Sequence, residues 1–255
     1  MNSKKTAFIT GASAGIGEAC ARVFAREGYD LLLAARRIDR LEALAAELTA
    51  AFGTKVHLLA LDVRDADEVF TAFNNLPEQW KQVDVLINNA GLSQGLDPIQ
   101  TGDIGDWDRM IDTNVKGLLY VTRAVVPGMV ARQTGHIINL GSIAGKEVYP
   151  NGNVYCATKH AVDALTKGMR IDLLADHIKV TAIHPGMVET EFSKVRFKGD
   201  EERAAAVYDG IEPLLAEDIA EAAWFVASRP KHVNINDMLI MPTMQANGTL
   251  AIREP

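Results

Sequence analysis

The sequence is poor in the features that mark several classes of protein. Its 255 residues include only two cysteines, whereas a disulfide-held secreted protein normally uses more. Lysine and arginine total 26 against 33 aspartates and glutamates, and this net charge of −7 argues against a nucleic-acid-binding protein. No apolar run approaches the roughly 18 residues of a membrane span, and the first residues lack the apolar stretch of a signal peptide. We therefore expect a cytoplasmic protein with free thiols and no membrane or nucleic-acid partner.

Repeats, low-complexity tracts and linkers rich in proline, glycine and serine are also absent. Instead, short apolar runs alternate with helical patterns along the whole chain. The predicted strands are Thr6–Thr10, Leu31–Ala35, Val56–Leu61, Val83–Ile87, His136–Leu140, Lys179–Ile183 and Asn236–Met241. The predicted helices are Ile16–Arg26, Arg40–Ala51, Ala66–Asn74, Asp106–Arg132, Val154–Leu174 and Glu217–Ser228. Because continuous apolar runs indicate strands covered on both faces, this pattern predicts a doubly wound, seven-stranded parallel α/β sheet of the Rossmann type.

Two segments stand outside this alternation. Residues 189–208 are polar and charged and lie between a predicted strand and the last helix. Too little chain follows them to form a second domain, so we expect one domain over residues 1–255 with a mobile segment over a cleft at 189–208. The tail at 244–255 shows no clear element but carries apolar residues, and we expect it to contact a neighbouring subunit.

The first strand is followed by a glycine-rich turn, Thr10-Gly11-Ala12-Ser13-Ala14-Gly15-Ile16-Gly17. Its glycines would permit a tight turn (Gly11), close approach of backbone to a pyrophosphate (Gly15) and packing of the next helix on the sheet (Gly17). The free N–H groups at the start of that helix would then face the anion. A dinucleotide is the ligand that this arrangement predicts.

The end of the second strand indicates which dinucleotide. An NAD site places an acidic residue there to bind the ribose 2′-hydroxyl, but no acid occurs from Leu31 to Ile38. Arg36 and Arg37 occupy the position instead, and guanidinium groups suit a 2′-phosphate. The alternative is a solvated helix start, which the helix dipole disfavours for cations. We predict NADP.

Two further strand ends carry candidate cofactor contacts. Asp62, followed by Val63, could accept from the adenine amino group or cap the next helix, a role for which Asp65 competes. In Asn88-Asn89-Ala90-Gly91, small residues would let a cofactor lie across the strand ends. For Asn88, cofactor contact and bracing of neighbouring loops remain equally open.

Tyr155 and Lys159 carry the predicted chemistry. Their i, i+4 spacing places them on one helix face about 6 Å apart along the axis. A neighbouring ammonium would lower the pKa of the phenol from ~10 and make it a general acid and base, although such pairs also occur as ordinary surface residues. Ser142 follows the fifth strand at the edge where open α/β sheets bind ligands, and Asn114 lies inside a long helix, where asparagine is disfavoured.

Together, these motifs resemble the short-chain dehydrogenase/reductase family in order and spacing over nearly the whole chain. The resemblance implies a proton donor and acceptor (Tyr155), a residue that lowers its pKa and holds the nicotinamide ribose (Lys159), and a hydroxyl that orients the substrate oxygen (Ser142). It implies that Asn114 anchors a proton-relay water. The implied cofactor residues are Gly11, Ser13, Gly15, Ile16, Gly17, Arg36, Arg37, Asp62, Val63, Asn89, Ala90, Gly91, Tyr155, Lys159, Pro185, Gly186, Val188 and Thr190.

A narrower resemblance concerns the substrate. Residues 191–200 and 232–236 look like those of the NADP-dependent 3-hydroxy acid dehydrogenases, which act on serine, allo-threonine and similar small molecules and form homotetramers. Arg196 could then pair with a substrate carboxylate, and Gln94 and Tyr149 could face the substrate. For Arg196, the alternatives are a solvated loop or a subunit contact. For the protein, the alternatives are a reductase of less polar carbonyl compounds and a non-catalytic NADP-binding protein.

Overall fold

The structure is a computed structural model and describes residues 4–254. Outside the described residues lie Met1, Asn2 and Ser3, which belong to the start predicted to lack a signal peptide. Pro255, the last residue of the predicted tail, also lies outside them.

Seven parallel strands form one sheet at the centre of the molecule. The strands are β1 (Thr6–Thr10), β2 (Asp30–Ala35), β3 (Val56–Ala60), β4 (Val85–Asn88), β5 (Gly135–Leu140), β6 (Ile178–Pro185) and β7 (Asp237–Ile240). Their order is β3-β2-β1-β4-β5-β6-β7, and every neighbouring pair is parallel. The order reverses direction between β1 and β4, and ligands of such sheets bind beyond the carboxyl ends of the strands at that point. The predicted seven-stranded Rossmann fold is confirmed.

Helices cover both faces of this sheet. They are α1 (Gly15–Arg26), α2 (Ile38–Phe52), α3 (Ala66–Asn74), α4 (Glu78–Lys81), α5 (Ile104–Ile111), α6 (Leu118–Arg132), α7 (Asn153–Asp172), α8 (Phe192–Arg196), α9 (Glu201–Ala206) and α10 (Ala216–Ala227). Asp65 caps α3 by accepting from the Glu68 amide at 3.0 Å, which settles the competition with Asp62 for that role. Within residues 4–254, no helix combines the length and apolar character that crossing a membrane requires.

The long helix predicted at Asp106–Arg132 differs from the observed one. The structure begins it at Ile104 and divides it into α5 and α6 with a π-helical turn at Asp112–Gly117. Such turns add one residue to the usual spacing and are frequent at functional sites. No residue type in the stretch signals the turn, so periodicity alone predicted an uninterrupted helix.

Each face of the sheet has its own apolar core. On one face, α1, α2 and α10 pack around Phe24, Leu41 and Ile219, all fully buried. On the other, α3 and α6 pack around Phe8, and Met129 is fully buried there. These continuous cores fix the strand ends relative to one another, and the candidate site lies along those ends.

Candidate active site

A cavity of about 740 Å³ opens along the carboxyl ends of the strands. Its walls come from the phosphate turn, the strand ends, residues 185–208 and the tail. It is lined by most of the predicted site residues: Gly11, Ser13, Gly15, Ile16, Arg36, Arg37, Asp62, Val63, Asn89, Ala90, Gly91, Ser142, Tyr149, Tyr155, Lys159, Pro185, Gly186, Val188, Thr190 and Arg196. Gly17, Gln94 and Asn114 do not line it.

The phosphate turn is a backbone cradle with no room for side chains. Gly11 has a φ of +66°, and a Cβ there would lie 2.9 Å from the Asn89 Nδ2 atom. A Cβ on Gly17 would come within 2.4 Å of the Gly11 carbonyl oxygen, so Gly17 acts by packing helix against turn rather than by lining the cavity. Asn89 fixes the turn by donating to the carbonyls of Thr10 (2.9 Å) and Gly11 (3.2 Å). Such a cradle beside a helix N-terminus fits a pyrophosphate.

Arginine side chains line the cavity where an adenosine ribose would lie. Arg37 donates from Nε to the Ser13 hydroxyl at 3.3 Å, and its Nη1 pairs with Glu191 at 2.9 Å. Arg36 is exposed and makes no hydrogen bond or ion pair with any part of the chain that the structure describes. Asp62 is held by Arg64, whose hydrogen bond lowers the pKa of that carboxyl. The cationic edge fits a 2′-phosphate.

Asn88 braces the sheet. Its amide donates to Thr122 on α6 and to Asn139 on β5, both at 2.9 Å. Asn139 in turn donates to Thr166 on α7 at 2.9 Å. Of the two interpretations left open for Asn88, the structure therefore favours bracing, because its side chain is buried behind the cavity wall.

Tyr155 and Lys159 lie on one face of α7, as predicted from their spacing, and both are buried. The Lys159 ammonium donates to the Leu140 carbonyl at 2.9 Å and lies 6.0 Å from the centroid of the Tyr155 ring. Burial lowers the pKa of Lys159 to about 8. The Tyr155–Lys159 pair thus lies in a desolvated pocket at the end of β5.

The structure shows no lowering of the Tyr155 pKa by Lys159, and that effect remains a prediction. Burial raises the pKa of Tyr155, and the opposing effects come from the Arg196 charge and a hydrogen bond from Ser142. The Lys159 ammonium donates its hydrogen bond to the Leu140 carbonyl rather than to the phenol of Tyr155. The groups that stabilise a phenolate here are therefore Arg196 and Ser142.

Ser142 begins a short 3₁₀ turn at Ile143–Gly145, where its hydroxyl accepts from the Ala144 amide at 3.1 Å. Its carbonyl accepts from Nδ1 of the buried His184 at 3.2 Å. Both contacts fix the serine at the edge of the cavity, beside Tyr155.

Asn114 lies in the π-helical turn and is nearly fully buried. Its side chain exchanges two 2.8 Å hydrogen bonds with the backbone of Leu92 and donates to Thr158 at 3.0 Å. Thr158 donates to the Tyr155 carbonyl at 2.8 Å. The asparagine therefore ties the loop after β4 to the catalytic helix, and water anchoring remains a prediction.

Arg196 lies closer to the Tyr155 ring than Lys159 does. It donates to Ser93 and to the Tyr149 hydroxyl, both at 3.1 Å. Its guanidinium carbon lies 5.3 Å from the Tyr155 ring centroid and 5.1 Å from that of Phe192. Gln94, by contrast, accepts from Arg109 at 2.7 Å on the exposed side of the loop, so the structure does not bring it to the cavity.

Sequence reasoning missed several lining residues. Gln245, in the tail, accepts from the Met187 amide at 2.8 Å and thereby supports the loop after β6. The tail also packs on its own chain, where the Gly248 amide donates to Glu147 at 2.7 Å and the Glu254 amide donates to the Gly210 carbonyl at 2.8 Å. No motif marks these residues, and subunit contact by the tail remains a prediction.

Comparison with known proteins agrees with this geometry. The profile of the short chain dehydrogenase family matches residues 5–201. The chain belongs to this family. The resemblance inferred from the motifs is therefore confirmed.

Individual relatives cover almost the full chain. An NADP-dependent 3-hydroxy acid dehydrogenase of Salmonella typhi is 49% identical over 96% of this chain and 97% of its own. Sulfoacetaldehyde reductase 2 of Chromohalobacter salexigens is 45% identical over 96% of each chain. The closed form of a serine dehydrogenase complexed with NADP⁺ superimposes with a TM-score of 0.91 at 43% identity, covering 98% of this chain and 100% of that one.

Proposed function

We propose that the protein is an NADP-dependent dehydrogenase that interconverts a short 3-hydroxy acid, such as serine or allo-threonine, and its 3-keto form. The observation that carries this proposal is the position of Arg196, a guanidinium 5.3 Å from the Tyr155 ring in the wall of the cavity. A substrate carboxylate held by this arginine would bring a hydroxyl two carbons away towards the phenol. Two relatives named as NADP-dependent 3-hydroxy acid dehydrogenases, 49% and 45% identical to this chain, support the same substrate class.

The cavity fits the cofactor. The glycine cradle suits a pyrophosphate and the arginines suit a 2′-phosphate. When bound, the nicotinamide supplies the hydride acceptor or donor. Pro185, Gly186, Val188 and Thr190 would border it from the loop after β6, which Gln245 supports.

The residues around the reacting oxygen handle its proton. In oxidation, the Tyr155 phenolate accepts the hydroxyl proton, and Ser142 donates a hydrogen bond that orients the substrate oxygen. In reduction, the Tyr155 phenol returns the proton. Arg196 stabilises the phenolate because it is the nearest cation with a hydrogen-bonded, fixed position. Burial of Tyr155 and Lys159 keeps bulk water from the reacting atoms.

The decisive experiment measures turnover of a panel of short 3-hydroxy acids with NADP or NAD, from the rise in absorbance at 340 nm as the cofactor is reduced. We expect NADP reduction with serine and other short 3-hydroxy acids. Replacing Tyr155 by phenylalanine should reduce kcat by about 10²–10⁴-fold, because the general acid and base is lost. Tyr120→Phe, on the outer helix α6, is the matched control. A wild-type enzyme that turns over none of these acids contradicts the substrate assignment.

A second candidate is reduction of a sulfonate-bearing aldehyde. The guanidinium fork of Arg196 could also bind two oxygens of a sulfonate, and the Chromohalobacter relative is a sulfoacetaldehyde reductase. Adding sulfoacetaldehyde and an uncharged ketone to the panel, each with NADPH as hydride donor and followed by the fall in absorbance at 340 nm, separates the candidates. A preference for the uncharged ketone would support a reductase of less polar carbonyl compounds.

We further infer a cytoplasmic homotetramer in which residues 189–208 move during the cycle. The buried free thiols Cys20 and Cys156 are consistent with a reducing compartment, and the exposed apolar Ile171 and Leu174 suit a subunit contact. Light scattering measures the mass of the assembly, and a monomeric mass would contradict the tetramer. Cell fractionation tests the location.

A further inference from the structure

A carboxylate occupies the arginine cluster at the start of α2. Glu191 accepts from Arg37 at 2.9 Å through one carboxylate oxygen and from Arg40 at 2.7 Å through the other. Both arginines and the glutamate are about half-exposed. The hydrogen bonds from Arg40 and Arg37 hold the pKa of Glu191 below its usual range, so the group is anionic at neutral pH.

The Glu191 carboxylate neutralises an arginine cluster that forms no other ion pair within the residues that the structure describes. Arg36, Arg37 and Arg40 lie within one turn at the helix N-terminus, where the dipole disfavours cations. Asp39 belongs to the same turn but forms no ion pair with the residues that the structure describes. Glu191 comes from the loop after β6, 154 residues further along the chain than Arg37. It therefore acts as the counter-ion of the cluster.

The position of Glu191 also links the two ends of the cavity. It immediately precedes α8, the five-residue helix that ends at Arg196. Arg196 contacts Tyr149 at the substrate end, while Glu191 contacts Arg37 at the adenosine end. The residue before α8 therefore contacts Arg37, which is proposed to hold the 2′-phosphate, and the last residue of α8 is Arg196, which is proposed to hold the substrate anion.

We propose that Glu191 competes with the 2′-phosphate of NADP for Arg37, which lines the cavity, and so sets how strongly the site prefers NADP to NAD. A phosphate dianion offers this guanidinium charge-assisted hydrogen bonds with more charge than the single contact from Glu191, so it displaces the carboxylate. The proposal rests on the NADP assignment made above. NAD has no 2′-phosphate, so its binding leaves the Glu191 pairs intact.

The test is equilibrium binding, which needs no turnover. The dissociation constants of adenosine 2′,5′-bisphosphate, ADP, NADP and NAD are measured by calorimetry for the wild type and for Glu191→Gln. Two exposed ion pairs contribute modestly, so we expect the bisphosphate and NADP to bind about three- to tenfold more tightly to the variant. ADP and NAD should change by less than about twofold. Glu189→Gln, which removes an exposed carboxylate from the same loop, is the matched control and should change none of the four.

Two results would overturn the proposal. Weaker or unchanged binding of the bisphosphate by Glu191→Gln would show that the carboxylate supports or ignores the phosphate site. Weaker NAD binding with unchanged NADP binding would identify Glu191 as a ligand of the ribose hydroxyl. If the wild type itself binds NAD as tightly as NADP, the cofactor assignment fails first, so the two failures are distinguishable. Thermal melts of both variants check that the fold is unchanged.

Discussion

The two ends of the cavity are built in different ways. At the phosphate end, backbone atoms form the wall, and Asn89 holds the turn in place by donating to the Thr10 and Gly11 carbonyls. At the substrate end, side chains form the wall, and Arg196 reaches across from a five-residue helix to Ser93 and Tyr149. At the phosphate end close backbone packing leaves no room for side chains, whereas at the substrate end hydrogen bonds join the half-buried Arg196 to the half-buried Tyr149 and the buried Ser93.

This difference teaches where each end is sensitive. A backbone cradle tolerates no added atoms, so mutations there should act on folding and on cofactor binding together. At the substrate end, removing a side chain removes only the contacts of that side chain. Substitutions there should therefore weaken substrate binding and leave the fold intact. Substitutions at each end can test this division.

Adding one methyl group to the cradle should have the largest effect. Gly11→Ala forces an L residue into φ +66° and places a Cβ 2.9 Å from Asn89. We expect about 2–4 kcal/mol of lost unfolding free energy, together with weaker NADP binding. Urea unfolding and calorimetry measure both.

Gly28→Ala is the matched control for this change. Gly28 has a φ of +85°, but nothing in the described part of the chain lies within 4 Å of a Cβ built there. The control should lose about 1–2 kcal/mol and keep its cofactor affinity. Equal effects of the two substitutions would mean that backbone strain alone, rather than the close approach of Asn89, makes the cradle intolerant.

Removing the guanidinium at the substrate end should change affinity instead. We expect Arg196→Ala to raise KM for a 3-hydroxy acid about 10–100-fold, since charge-assisted hydrogen bonds contribute about 1.5–3 kcal/mol. The melting temperature should hardly move. Arg203→Ala, which removes a guanidinium that does not itself line the cavity, is the control. An equal rise in KM for an uncharged alcohol would contradict the anion role and break the division between the two ends.

Lys159 allows a test of burial within the cavity, because it lines the cavity and is itself buried. Its pKa is about 8 in the fold against 10.5 ordinarily, so between these values the unfolded chain binds a proton that the folded protein has released. Stability should therefore rise with pH across this window. Relative to Lys159→Met, the wild type should gain about 2 kcal/mol of unfolding free energy between pH 7.5 and pH 9.5. A pH-independent difference in urea unfolding would show that the ammonium is not desolvated.

The same division explains what could be predicted from the sequence. The glycine spacing and the Tyr155–Lys159 spacing are local patterns, so the strands, the cradle and the catalytic helix follow from them. The Arg37–Glu191 and Arg196–Ser93 contacts join residues 154 and 103 positions apart, and no local pattern specifies them. The Tyr155 pKa does not follow from the spacing, because it depends on burial and on where the Lys159 ammonium donates.

The buried amide chain from Asn88 through Asn139 has a consequence for directed evolution. A library that randomises one position at a time would score each asparagine as intolerant, because a single replacement breaks the Asn88–Asn139 hydrogen bond and leaves an N–H or an oxygen of the remaining asparagine unpaired in the core. Replacing both with apolar residues of similar shape removes that penalty. Sequence change at these two positions is therefore expected to be epistatic, and searches that recombine paired substitutions will reach variants that single-site scans cannot.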